Sequence, residues 1–308
     1  MLKQVFHPHL GHTITFGRRV PKVLGPHMRA SRYTAKLPAA PPTLDYTKAA
    51  MPSLTQALGN ITLGDCVIAG GYHIEGVATA NAGKIFIPTQ QQIIADYSKI
   101  GGYVPGNPAT DQGCDLQTAM NYWTQHGFAN GTKLLGYLSV NPTDKAQMQQ
   151  VLWLFENLYF GVGLPDSWIA PFPSSNGFVW NNGPVDLNNG HCFPGCGYTQ
   201  NGILIDTWGL IGTVTWDAVA SVAAMQNGGE LYVMLTPDII AKGQAKAPNG
   251  FDWATLIADF NALGGRIPLP TPPAPTPAPA PVPAPGAPPS LAQAQAWAAA
   301  GLATNWPK

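Results

Sequence analysis

The sequence predicts an α+β fold of two lobes, a helical lobe first and an antiparallel β lobe second. Between about residue 49 and residue 157 the segments read as helices; after residue 160 short apolar runs alternate with Gly and Asn turns. Helices first and strands later are the order of an α+β chain rather than of repeating βαβ units. Flanking stretches of different composition, basic before and proline-dense after, set the limits of the globular part.

Residues 1–48 form an extended arm with little periodicity. Residues 1–44 carry Lys3, Arg18, Arg19, Lys22, Arg29, Arg32 and Lys36 with no Asp or Glu, so a formal net charge of zero divides into +7 on the arm and −7 on the rest. A basic arm on an acidic body folds back onto that body or reaches for another acidic surface. The body shows no basic-aromatic stripe, so nucleic acid is not an expected partner. Pro8, Gly11, Pro21 and Pro26 interrupt any amphipathic helix, against a transit peptide. The start MLKQVFHPHLGHTITF lacks the apolar segment of a secretion signal, and no run of 18 apolar residues points to a membrane span. The expected location is the cytoplasm or a particle such as a virion.

Residues 49–266 form the body. Cys66-Val-Ile-Ala-Gly-Gly-Tyr-His-Ile-Glu-Gly-Val-Ala reads as a helix rich in small residues, followed by helices over 88–98, 116–126 and 143–157. Strands are expected at Gly161-Val-Gly-Leu, 191–198, 202–207 and 230–235. Trp153, Phe155, Tyr159 and Phe160 read as core. Residues 267–289 hold 12 prolines in 23 positions, a density that excludes helix and sheet ladders and favours polyproline II. At roughly 3.1 Å per residue this linker spans on the order of 70 Å. Residues 290–308 open with the capping-box pattern Ser290-x-x-Gln293 and continue with Ala-rich helix formers plus Leu291, Trp297 and Leu302, a short docking element.

The chemistry rests on a cysteine. Four cysteines in 308 residues, Cys66, Cys114, Cys192 and Cys196, are not a disulfide scaffold. His191-Cys192-x3-Cys196 lacks the paired spacing of a structural zinc site. No metal or cofactor is expected. Cys66 follows the turn Leu63-Gly64-Asp65 and opens the small-residue helix. A helix N-terminus favours the thiolate, the nucleophilic form of cysteine. Such a nucleophile also needs a histidine from a distant part of the chain, held by a third polar group.

Asn189-Gly190-His191-Cys192-Phe193-Pro194-Gly195-Cys196-Gly197-Tyr198 resembles the papain-like cysteine peptidase pattern of histidine, small or apolar residues, then Gly-Tyr. Gly202-Ile-Leu-Ile-Asp206-Thr207-Trp208-Gly209 resembles the family's strand ending in Asn-Ser-Trp-Gly, and Gly64-Asp65-Cys66 resembles its Gly-x-Cys. His191 and Asp206 follow Cys66 by 125 and 140 residues, against a family spacing of about 130 to 150. Gln112-Gly113-Cys114, followed by Ala119, Tyr122 and Gly127, is similar to a Gly-Cys segment of the family's left lobe, and residues 143–164 resemble the helix and strand that open its right lobe. The resemblance covers roughly residues 53–236.

It implies a papain-like fold with a helical left lobe and an antiparallel β right lobe, and a peptidase or amide hydrolase acting on a polypeptide in the inter-lobe cleft. Cys66 would be the nucleophile, His191 the base, Asp206 the orienting group in place of the family's Asn, and Trp208 the shield of their hydrogen bond. The oxyanion donor falls on Asn60, counted back from Cys66, or on Gln56 one turn earlier. Val67, Ile68 and Ala69 depart from the family's residues after the nucleophile. His73 is a rival base, but seven residues along one helix is too far to meet Cys66. Cys192 should point away from His191's side of the strand and be inert. Two further readings are compatible with the sequence. In one, the papain-like body is a scaffold whose segments 1–48 and 267–308 bind neighbouring protein subunits. In the other, the basic arm lies in the cleft as an inhibitory segment.

Overall fold

The computed structural model describes residues 2–21, 28–246 and 251–262. The linker 267–289 and the tail 290–308 lie outside the described residues. The arm opens with a hairpin, β1 (Gln4–His7) and β2 (His12–Thr15), then β3 (Met28–Arg29), the single turn α1 (Ser31–Thr34) and β4 (Leu44–Asp45). The helical lobe follows as α2 (Thr47–Leu54), α3 (Cys66–Asn81), α4 (Gln90–Gly101) and α5 (Leu116–His126). Next come β5 (Gly136–Ser139), α6 (Lys145–Phe155), β6 (Leu158–Gly163) and β7 (Phe178–Trp180). The strands β8 (Gly190–Tyr198), β9 (Gly202–Thr207) and β10 (Leu210–Thr215) lead through α7 (Trp216–Val222) to β11 (Glu230–Leu235). Helices α8 (Pro237–Lys246) and α9 (Trp253–Ala262) come last among the described residues.

The caps explain where several helices start. Thr89 and Gln92 form a reciprocal capping box on α4, which stops at Gly102 with φ +78°. Asp115 and Asp144 accept from the third backbone N–H of α5 and α6. The Cys66 helix has another logic. Every residue from Cys66 to Thr79 is buried, because α3 passes between the other left-lobe helices and the sheet. Its glycines are the close-approach points. A β-carbon on Gly71 would overlap the Trp123 ring, and one on Gly76 would overlap Ser53.

The large sheet runs β3-β5-β11-β6-β8-β9-β10-β7, with β4 added on β8. Its pairs are antiparallel except β3 with β5 and β7 with β10. The arm is therefore not merely an extended appendage. It makes its own hairpin and lends β3 and β4 to the sheet. Pairings of two residues leave no periodic signal, which is why the sequence reads there as featureless.

Strand β8 is buried on both faces and divides the core. On the α3 side, Cys66, Tyr72, Trp123, Tyr159 and Cys192 pack together. On the other side, Ile14 and Phe16 of the arm join Phe160, Phe193 and Trp208. Among the described residues no helix is long and apolar enough to cross a membrane.

Gly71→Ala should lower stability by about 1–3 kcal/mol through overpacking against Trp123, although alanine favours a helix by about 1 kcal/mol. At Gly70 the added carbon meets Tyr159 Cε2 at 3.2 Å and Cys192 Sγ at 3.4 Å, so Gly70→Ala should cost less. Urea midpoints of the two variants check the order.

Candidate active site

Cys66 is the first residue of α3, following Asp65, and is fully buried. Burial pushes its thiol up to about 12, while the backbone N–H groups of Gly17, Cys192 and Val67 act in the opposite direction. In this conformation the sulfur is a neutral thiol. Asp65 beside it is also fully buried, and burial together with Asp111 holds its carboxyl well above the usual range.

His191 lies on β8, next in sequence to Cys192. Its Nε2 is 2.8 Å from Thr207 Oγ1, and its ring stacks on Trp208 with centroids 4.7 Å apart and planes at 22°. Phe16 of the arm meets the same imidazole edge-on, with centroids at 6.2 Å. His191 Nδ1 has no hydrogen-bond partner, so it is not bonded to Cys66 Sγ. Burial lowers the His191 pKa to about 3 and leaves the ring neutral. With a proton on Nε2 donated to Thr207, Nδ1 is a bare acceptor.

Trp208 occupies its place through a tight turn. Thr207 and Leu210 are paired across β9 and β10, and the two residues between them have φ +51° at Trp208 and +78° at Gly209. Two-residue hairpins of type I′ need positive φ at both positions, which glycine adopts freely and tryptophan does not. Packing against His191, Phe172 and Trp180 accompanies that backbone. Phe172 also stacks on His7 of the arm, at 4.4 Å and 17°.

Asp206 does not bond to His191. Its Oδ2 lies 2.5 Å from Nδ1 of His73, both groups buried beside α3. Successive residues of a strand face opposite sides, so on β9 Thr207 meets His191 and Asp206 meets the helix. This corrects the expectation of a Cys66–His191–Asp206 relay, in which Asp206 and His191 would share a face. His73 is two turns along α3 from Cys66, about 10 Å of helix rise. It is Asp206's partner. Cys192 takes the α3 side, with Cys66, opposite His191. Of the two oxyanion candidates, Asn60 is buried and its Oδ1 has no hydrogen-bond partner, whereas Gln56 is exposed and lines a groove of about 510 Å³ with His12 and Gln90.

The arm fills the space beside these groups. Gly17 is so close to the loop before Cys66 that a β-carbon there would overlap the Gly64 carbonyl, and a β-carbon on Gly113 would overlap Gly17. Cys114 N–H donates to the Gly17 carbonyl and Arg19 N–H to the Cys114 carbonyl, each at 3.0 Å, pairing Arg18 in parallel with Cys114. On the other side Arg18 N–H donates to the Gly190 carbonyl at 3.0 Å, one residue before His191. Thr15 Oγ1 donates to the Thr62 carbonyl, and Lys3 pairs with Asp186 at 3.0 Å. Thr207 and the arm residues Phe16 to Arg19 are thus parts of the site that the motif comparison gave no role, and His73, weighed there as a rival base, sits against Asp206 instead. The basic charge was the trace of the arm's role in the sequence.

No protein-family model and no curated protein sequence matches the chain. Solved structures do. Xylellain, a cysteine protease from Xylella fastidiosa, aligns with a TM-score of 0.55 at 16% identity, over 72% of this chain and 96% of that one. Procathepsin L 3 from the larval midgut of Tenebrio molitor gives 0.52 at 13% identity, over 71% and 75%. Procathepsin B from Trypanosoma congolense gives 0.51 at 8% identity, over 72% and 86%. At these identities the likeness is one of fold. The fold is papain-like.

His191 should leave a signature in acid. The unfolded chain takes up a proton near pH 6.5, whereas the buried ring refuses one until about pH 3. Its contribution to stability is complete above pH 6.5 and shrinks as the pH falls towards 3. Unfolding free energy measured from pH 7 to 4 should therefore drop more steeply in the native chain than in His191→Phe. Equal slopes would contradict the buried neutral imidazole.

Proposed function

We propose that the chain is a cysteine-dependent peptidase or amide hydrolase, held latent by its own N-terminal arm. The observation that carries this reading is the position of Phe16-Gly17-Arg18. Their backbone lies against Cys66, the loop before it and the residue before His191, where an extended polypeptide substrate would have to lie.

In the latent form the thiol and the imidazole are both neutral and dry. Departure of the arm admits water and lowers the cost of charge separation. The amino end of α3 then favours a Cys66 thiolate. The start of β8 must also rearrange, so that His191 leaves Thr207 and Trp208 and its ring reaches the Cys66 side of the strand, where it accepts the thiol proton. The thiolate attacks the amide carbonyl carbon, and the imidazolium gives its proton to the departing amine. Water, deprotonated by His191, then releases the acyl group from sulfur. The Cys66 backbone N–H and the Asn60 amide are the candidate donors to the oxyanion; one such donor is worth about 100- to 1000-fold in rate. Asp206 contributes through His73 on α3, rather than through His191.

A second reading has its own support. Cys66 and His191 are fully buried, share no hydrogen bond, and leave Asp206 engaged elsewhere. A papain-like scaffold that assembles with neighbouring subunits needs no more than this.

Gly17→Val in the full chain separates the two, because its side chain cannot fit under Gly64. The hydrolase reading expects iodoacetamide to modify Cys66 at least about tenfold faster than in the native chain, as a thiolate becomes accessible. Hydrolysis of casein or a peptide amide should appear in the same variant, vanish with Cys66→Ala and fall about 100- to 10,000-fold with His191→Ala. Unchanged labelling, or hydrolysis that survives Cys66→Ala, would leave the scaffold reading.

A further inference from the structure

Three of the four free cysteines meet at the amino end of α3. Cys66, Cys114 and Cys192 share one buried cluster with Tyr159. The Tyr159 hydroxyl donates to the carbonyl of Val67, the residue after Cys66. Burial, then the thiols of Cys192, Cys114 and Cys66, hold that hydroxyl well above the ordinary phenol range, so all three sulfurs lie within electrostatic reach of it. Cys192 is the one placed to meet Cys66. Its backbone N–H acts on the Cys66 sulfur. Its own sulfur would lie 3.4 Å from a β-carbon on Gly70, which is four residues along α3 and therefore on the same face as Cys66. Four residues are about 6 Å of helix rise, so the main chain and side chain of Cys192 bracket the first turn of α3. A disulfide spans α-carbons up to about 7 Å apart, the same scale as this bracket. Gly70, without a β-carbon, leaves the room that the Cys192 sulfur takes.

We propose that Cys192 is a resolving cysteine for Cys66, and that a reversible Cys66–Cys192 disulfide locks the chain in its latent conformation. The bond itself needs only the two thiols; its part in controlling activity rests on the hydrolase reading. The co-reactant is a hydroperoxide such as hydrogen peroxide. When the arm lifts, the Cys66 thiolate attacks one peroxide oxygen, the O–O bond breaks, and the other oxygen leaves as hydroxide and is protonated to water. The Cys192 thiolate then attacks the Cys66 sulfenic sulfur, so that S–S forms, S–O breaks and hydroxide leaves to become water. In sum two thiols lose two electrons and two protons, and one peroxide becomes two waters. A dithiol reverses the bond by exchange and is itself oxidised. The lock follows from strand geometry. His191 and Cys192 are consecutive on β8 and face opposite sides. Hydrolysis requires His191 on the Cys66 side, which turns Cys192 away. The disulfide holds the reverse, Cys192 against α3 and His191 against Thr207 and Trp208. Pairing of β8 with β9 starts at Gly195, beyond both residues, and shifts register between Gly195 and Gly197, so the start of the strand is the part a cross-link would fix. One bond thus consumes the nucleophile and keeps the base out of reach.

Peptide mapping of the full chain tests it. The native chain and Gly17→Val are treated with hydrogen peroxide, the remaining thiols are blocked with N-ethylmaleimide in denaturant, and the digests are analysed by mass spectrometry. A cross-linked pair of peptides holding Cys66 and Cys192, separated by dithiothreitol, is expected in both. It should form at least about tenfold faster in Gly17→Val, where the thiolate is accessible. Should Gly17→Val fail to fold, the map of the native chain decides. Absence of that pair from the folded chains overturns the proposal, whether Cys66 is then found free, joined to Cys114 or carried to the sulfinic acid. Activity supplies the second readout. Peroxide should abolish peptide-amide hydrolysis by Gly17→Val, and dithiothreitol should restore it. In Gly17→Val/Cys192→Ser the sulfenic acid has no resolving thiol and passes to the sulfinic acid, so dithiothreitol should restore none. Equal recovery in the two variants overturns the role of Cys192. If Gly17→Val hydrolyses no peptide before oxidation, the hydrolase reading fails, and the peptide map still decides the disulfide.

Discussion

The close crossing of backbones at Gly17 is the constraint on which the site depends. Gly64, Gly113 and Gly190 lie against Gly17 and Arg18, and side chains at Gly17, Gly113 and Gly190 would collide with main chain. Contacts of this kind exclude water and leave the flanking N–H and C=O groups to bond only one another, as Gly17, Arg18 and Arg19 do with Cys114 and Gly190. Cys66 and His191 owe their burial in part to that seal. Their perturbed ionisation follows, since desolvation is the first cause at both groups.

The seal joins the two lobes as well as closing the cleft. Thr62, Gly64, Gln112 and Cys114 belong to the helical lobe; Asp186, Gly190 and Glu230 belong to the sheet lobe. The arm binds all of them. The Arg18–Glu230 ion pair is the most demanding of these contacts, because breaking a buried pair by removing one partner costs about 3–5 kcal/mol. Arm displacement is therefore opposed unless water or another cation reaches Glu230.

Much of this was legible in the sequence, and the reasons differ by element. Helices α4, α5 and α6 announce themselves through Thr89, Asp115 and Asp144 ahead of apolar periodicity. Cys66 at the start of a small-residue helix was legible because only such a helix fits between two packed layers. The partner of His191 was not. Strand alternation says that Asp206 and Thr207 face opposite ways, but which one faces His191 depends on the register of β8 against β9. That register shifts at an irregularity between Gly195 and Gly197, which no local pattern encodes. The family pattern favoured Asp206, whereas the geometry chose Thr207. The arm's insertion was equally hidden, since it relies on two-residue strands and glycine contacts. Its charge opposite an acidic body was the visible part.

The most direct test of the seal is amide hydrogen exchange at Arg18 and Arg19 in the full-length protein. Their N–H groups donate to the carbonyls of Gly190 and Cys114 across the cleft. The account predicts that both exchange as slowly as neighbouring core strands such as β8, because opening them requires the lobes to release the arm. Exchange of these two amides at the rate of an unstructured chain, with β8 still protected, would contradict it.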